Sequence, residues 1–94
     1  MASSRSSDLK TADAVIATGR NRINAITLIG GSTASSVVVY DNATAASGKV
    51  IGKATQATNL VTTHIIFENP VVAENGIYAD VTGTGAEYIV YFGG

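Results

Sequence analysis

Ninety-four residues make one small domain with a limited core, and with 14% charged residues the chain falls well below the roughly 25% of ordinary soluble domains. It has no cysteine and one histidine, so disulfides are excluded and a structural zinc site has no ligand set; self-association is the remaining staple for so small a domain. The net charge of −1 includes no basic stripe for nucleic acid, and no apolar run nears the roughly 20 residues of a spanning helix.

Residues 1–12 are Ser-rich and read as a flexible or docking arm, with residues 13–94 as the folded domain. Asp8 to Ala17 can be read as a short helix, since Leu9, Ala12 and Ile16 fall at helical spacing. The competing reading is a strand at Asp13–Ala17 with Gly19-Arg20-Asn21 turning the chain. The strand is preferred because everything downstream is β.

Arg22–Ile29 reads as the next strand, followed by a Gly30-Gly31-Ser32-Thr33 turn whose flanks look like a hairpin. Ser36–Asp41 and Lys49–Ala54 follow, separated by a loop between Asp41-Asn42 and Ser47-Gly48. Further strands are predicted at Thr62–Glu68, Gly76–Val81 and Glu87–Phe92. Asn75-Gly76 and Gly83-Thr84-Gly85 supply turns, where residues able to take positive φ are wanted. Pro70, the single proline, should break a strand or sit on an edge strand. Short β-branched strands punctuated by turns predict an all-β fold. The expected form is a small antiparallel β-sandwich or jelly-roll-like barrel of about six to eight strands with an extended N-terminal arm.

Side-chain alternation adds a second expectation. In Gly76–Thr82, Ile77, Ala79 and Val81 oppose Tyr78, Asp80 and Thr82, the pattern of a half-buried strand. Other strands are apolar on both faces. Val37 and Val39 oppose Val38 and Tyr40; Ile65 and Phe67 oppose His64 and Ile66; Tyr88, Val90 and Phe92 oppose Ile89 and Tyr91. A small sandwich buries one face of each sheet, so the second apolar face should meet a partner. Ile29, Val38, Tyr40, His64, Ile66, Ile89 and Tyr91 are the candidate subunit–subunit residues.

Charge is unevenly spread, with a local +2 over residues 1–22 and −3 over residues 23–94. That asymmetry suggests a basic arm docking on an acidic partner, with Arg5, Leu9, Lys10, Arg20 and Arg22 as its contacts. The polar N-terminal stretch has no secretory character, so the Asn42-Ala43-Thr44 sequon carries no weight and a cytoplasmic origin is expected.

Catalytic patterns are weak. Ser32, Asp41 and His64 occur in hydrolase-triad order, but a nucleophile elbow needs a strand-to-helix turn, and Ala34 stands where its second glycine belongs. Gly83-Thr84-Gly85 opens like a dinucleotide fingerprint, yet Tyr88 replaces the third glycine and a strand follows. His64 lies in an apolar strand and reads as packed or interfacial. Asp41, Asn42 and Asp80 lack the spacing of a calcium loop. Tyr40, Tyr78, Tyr88 and Tyr91 could form a sugar platform, with core or interface packing the preferred reading. No enzyme activity, cofactor, metal, nucleic acid or membrane partner is expected.

The run Glu74-Asn75-Gly76-Ile77-Tyr78-Ala79-Asp80-Val81-Thr82-Gly83-Thr84-Gly85-Ala86, followed by Tyr88-Ile89-Val90-Tyr91-Phe92-Gly93, resembles the ending of small virion proteins of tailed bacteriophages. Ser36-Val37-Val38-Val39-Tyr40-Asp41-Asn42, with Ala45-Ala46-Ser47-Gly48-Lys49-Val50-Ile51, is similar to an earlier segment of those proteins. The likeness spans about residues 14–94 and leaves out the arm. It implies a small β-fold in a capsid decoration (cement) or head-fibre subunit, with no catalytic residues to carry over. The implied partners are sister subunits, around a three-fold axis as a trimer, and the major capsid protein or another virion protein; the implied location is the virion, assembled in host cytoplasm. The alternatives are a tail, adaptor or baseplate component, or a carbohydrate-binding module for host attachment.

Overall fold

The computed structural model describes residues 4–57 and 61–93. Its eight strands are β1 (Arg5–Ser6), β2 (Ala14–Thr18), β3 (Asn21–Ile29), β4 (Ser35–Asp41), β5 (Val50–Gln56), β6 (Thr62–Ala73), β7 (Gly76–Thr82) and β8 (Glu87–Gly93). They form two four-stranded antiparallel sheets, A in the order β1-β8-β3-β6 and B in the order β2-β7-β4-β5. Strand β1 pairs with β8, β2 with β7, β3 with β6 and β4 with β5. The chain is thus an antiparallel ribbon wrapped so that successive strand pairs fall in alternate sheets. That is the jelly-roll form of the expected sandwich.

The wrapping corrects one local expectation. Of the consecutive strands, β4 and β5 alone are hydrogen-bonded neighbours; the other connections pass from one sheet to the other. The Gly30–Thr33 segment is therefore a sheet-to-sheet crossing, not a hairpin. Gly31 sits tightly against the β7–β8 crossing, where Ser32 N–H donates to the Thr84 carbonyl at 2.9 Å.

The core follows the alternation. Ile23, Ile26 and Leu28 of β3, Val37 and Val39 of β4, Ile77 and Ala79 of β7, and Tyr88 and Val90 of β8 are fully buried. Strand β3 changes phase midway, because a bulge at Asn24 moves the inward set from Ile23 to Ile26 and Leu28. Ala25 is thereby turned to the outer face.

Two segments depart from their sequence reading. Strand β6 runs past Pro70 to Ala73, as the edge strand of sheet A. Phe67, Glu68, Asn69 and Pro70 are extra residues opposite Asn24, with Phe67 packed against the core, so the proline interrupts no ladder bond with β3. The described part of the expected arm lies on the domain. Residues 1–3 lie outside the described residues, but Arg5 and Ser6 pair with Phe92 and Tyr91. Ser7 N–H donates to the Val90 carbonyl and its hydroxyl accepts from Val90 N–H, both at 2.9 Å.

Candidate interaction surfaces

The outer face of sheet A consists of cross-strand rows. One runs Glu87–Ile29–Thr62, the next Ile89–Thr27–His64, and the third Tyr91–Ala25–Ile66. Five of the predicted subunit–subunit residues, Ile29, His64, Ile66, Ile89 and Tyr91, thus share one surface. Ile66 is 70% exposed. The His64 ring Nδ1 lies 2.6 Å from the Thr27 hydroxyl, which orients the imidazole along the sheet.

The third row is hollow because Ala25 stands between two long side chains. Tyr91 on one side, with Ile66 and the Phe67–Pro70 bulge on the other, enclose a groove of about 570 Å³. Arg22 borders it, and Asn24 Nδ2 donates to the Ser4 hydroxyl at 2.7 Å at the same end. The sequence reading missed this groove. A signal existed only in the consecutive apolar residues Ala25 and Ile26, which strict alternation does not allow on a half-buried strand.

The remaining two predicted residues, Val38 and Tyr40, lie on the opposite side of the molecule. On the outer face of sheet B, Val15, Tyr78, Tyr40 and Val50 form a row, and Val38 sits between Asp80 and Lys53 in the next. Val15 and Val50 are 43% and 50% exposed. The single apolar interface expected from the sequence is therefore two surfaces, one on each sheet.

The residues assigned to arm docking are dispersed. Arg5 stacks its guanidinium 5.0 Å above the Phe92 ring and donates to Asn21 Oδ1 at 3.4 Å. Lys10 is tied through its backbone to Tyr88, and Leu9 is 46% exposed beside it. Arg20 pairs with Glu74 at 3.7 Å, with both side chains about two-thirds exposed, so the pair adds at most about 1 kcal/mol. Arg22 lies apart on the groove of sheet A.

No protein-family model and no curated protein matches this chain.

The other sequence constellations do not converge. Ser32 precedes β4 and Asp41 is its last residue, at the opposite end, and His64 lies on the outer face of sheet A. Among the described residues, no group of acids and histidine could hold a metal ion. The Asp41 carboxylate accepts the Asn75 N–H at 2.7 Å, and this backbone bond holds its pKa below the ordinary carboxylate value. The four tyrosines share no single face: Tyr88 is buried, Tyr91 is on sheet A, and Tyr40 and Tyr78 are neighbours on sheet B.

One carboxylate pair has unusual electrostatics. Partial burial raises the pKa of Asp80, and the adjacent Asp13 carboxylate raises it further. Asp13 is held there by accepting the Val81 N–H at 2.8 Å. Nearby, burial pushes the Tyr88 hydroxyl up to about 12, with Asp13 as the next cause. These groups latch the start of β2 to β7 and β8.

Proposed function

We propose that this protein is a structural subunit of a tailed-bacteriophage virion, a capsid decoration or head-fibre protein that works by protein–protein contact. The observation that carries the reading is the pair of apolar outer faces on one small jelly roll. A domain needs one buried core, and Ile66, Ile89 and Tyr91 on one side with Val15, Tyr40 and Val50 on the other exceed that need. The resemblance to small virion proteins supports the same reading, and its longest run spans β7, the crossing turn and β8.

Mechanically, one face joins sister subunits while the other, with the N-terminal segment, docks on the major capsid protein or another virion protein. Each buried Ile or Val side chain would contribute about 1.5–3 kcal/mol, so a few per subunit hold a shell boundary without ionic contacts. Such contacts resist salt. The test is retention on purified heads. Stoichiometric protein that survives high-salt washing supports the reading, and its absence from the particles overturns it. Copy number separates a shell subunit, present in many copies, from a tail, adaptor or baseplate part, present in few.

A second reading has one observation in its favour, the Tyr40–Tyr78 cross-strand pair on sheet B. Side-by-side aromatics on a sheet face can stack on a sugar ring. Glycan binding abolished by Tyr40→Ala, with the fold intact, would move host attachment ahead of shell assembly.

A further inference from the structure

Two four-stranded sheets leave four free edges, each a row of backbone N–H and C=O groups able to template another strand. Three of these edges are obstructed. Strand β1 is two residues long. Strand β2 breaks register between Val15 and Ala17, and β5 carries Lys53 and an extra residue opposite the Val39–Tyr40 step. Short length, bulges and an edge lysine are devices that block edge pairing.

Strand β6 differs. Its bulge, Glu68 and Pro70 all lie beyond Ile66, leaving Thr62-Thr63-His64-Ile65-Ile66 without acid, lysine, glycine or proline. Over that stretch its register with β3 is unbroken, from Ile29↔Thr62 to Ala25↔Ile66. The direction of its free groups follows from one bond. Gly30 N–H donates to the Val61 carbonyl at 2.9 Å, which makes Gly30 and Val61 a hydrogen-bonded pair. Antiparallel alternation then makes Leu28/Thr63 and Ile26/Ile65 hydrogen-bonded pairs as well. The N–H and C=O groups of Thr62, His64 and Ile66 therefore point away from β3, and no described strand pairs with them.

We infer that two copies of this chain join edge to edge through β6, antiparallel, about a two-fold axis at His64. In that register His64 faces its own counterpart and Thr62 faces Ile66 of the second copy. Every outward N–H and C=O of the three residues is then paired. Moving the axis towards Ile66 would set the Phe67–Pro70 bulge against the partner strand.

The edges themselves select the occupant. A head-to-tail ring built from sheet edges, such as an edge-joined form of the three-fold arrangement that the resemblance implies, has to join β6 to a different edge, and each of those is obstructed. A two-fold contact joins the open edge to itself and closes. It also covers Ile66 and makes one continuous sheet from the two copies of sheet A. The inference rests on the self-association part of the function proposed above and assigns it a symmetry and a strand.

The test is light scattering over a dilution series, with residue-resolved amide exchange on the same samples. The expected result is a discrete dimer whose Thr62, His64 and Ile66 amides slow by at least about ten-fold as the dimer forms. Thr63 and Ile65 amides, bonded to β3 in either state, stay slow throughout. Ile66→Lys, which puts a charge on the open edge, and His64→Pro, which removes an N–H not used inside the subunit, should each give a monomer by light scattering that is still folded by circular dichroism. A trimer would overturn the edge assignment and leave self-association standing. A dimer with fast exchange at Thr62, His64 and Ile66 would also overturn the edge assignment. A monomer at all concentrations would overturn both, while retention on heads remains a separate readout of the virion role.

Discussion

Tyr88 holds the segment before β2 with three bonds, and the last of them reaches Ala12. Its backbone exchanges N–H···O bonds with Lys10, both at 2.9 Å, and its hydroxyl donates to the Ala12 carbonyl at 2.7 Å. A fully buried aromatic of the last strand thus fastens the part of the chain that the sequence read as an arm. Tyr88→Phe keeps the ring and the backbone bonds but loses the hydroxyl. We expect a loss of about 1 kcal/mol in urea unfolding, the usual net worth of one hydrogen bond.

The same hydroxyl carries a pH signature. Its folded pKa of about 12 lies above the ordinary value of 10.0. The folded state therefore keeps a proton that the unfolded chain releases, and the associated stability is complete below pH 10 and lost as pH rises towards 12. Absorbance titration of the native protein should show one tyrosine ionising near pH 12. Tyr88→Phe should remove that step and flatten the alkaline loss of stability.

Asp80 has the same sign at the acid end. Its pKa is raised by burial and by Asp13, so the folded protein holds a proton more tightly than the unfolded chain. Stability from this group is present below the unfolded pKa of 3.8 and falls as pH climbs through the raised value. Asp80→Asn supplies a neutral side chain able to donate to Asp13. It should stabilise the protein by about 1 kcal/mol at neutral pH and by much less near pH 3, measured by thermal melts across that range.

Gly31 tests the approach of the two sheet-to-sheet crossings. A Cβ at this position would fall on the Thr84 carbonyl and the Gly85 backbone, which have no flexible side chain to swing away. Gly31→Ala should cost about 1–3 kcal/mol, the range for overpacking, and should broaden the amide signals of residues 31–35 and 83–86. An unchanged melting temperature would show that the crossings separate freely.

Parity was legible in the sequence and pairing was not. The inward and outward sets of β4, β7 and β8 were read correctly because side-chain direction depends only on the two-residue period. That period also placed His64, Ile66, Ile89 and Tyr91 on an outer face. It could not say that Val38 and Tyr40 belong to the other sheet, because the jelly-roll wrapping sends nearly every connection across the sandwich. The hairpin reading of Gly30–Thr33 failed for the same reason. Strand β1 has no pattern of its own, since two polar residues become a strand only where β8 offers an edge. The Asn24 bulge, which turns Ala25 outward and opens the groove, needs β8 and β6 on either side to exist at all.

The three consecutive valines of β4 separate core from surface within one strand. Val37 and Val39 are fully buried between the sheets, while Val38 faces outward between Asp80 and Lys53. Alanine at 37 or 39 removes two methyl groups and leaves a cavity, so each should cost about 2 kcal/mol in chemical denaturation. Alanine at 38 should change stability by about 0.5 kcal/mol or less. Its effect belongs to assembly instead. If the outer face of sheet B docks on the shell, Val38→Ala should weaken retention on heads while the isolated subunit melts as before. A variant that is destabilised yet fully retained would assign Val38 to the fold and remove this face from the docking surface.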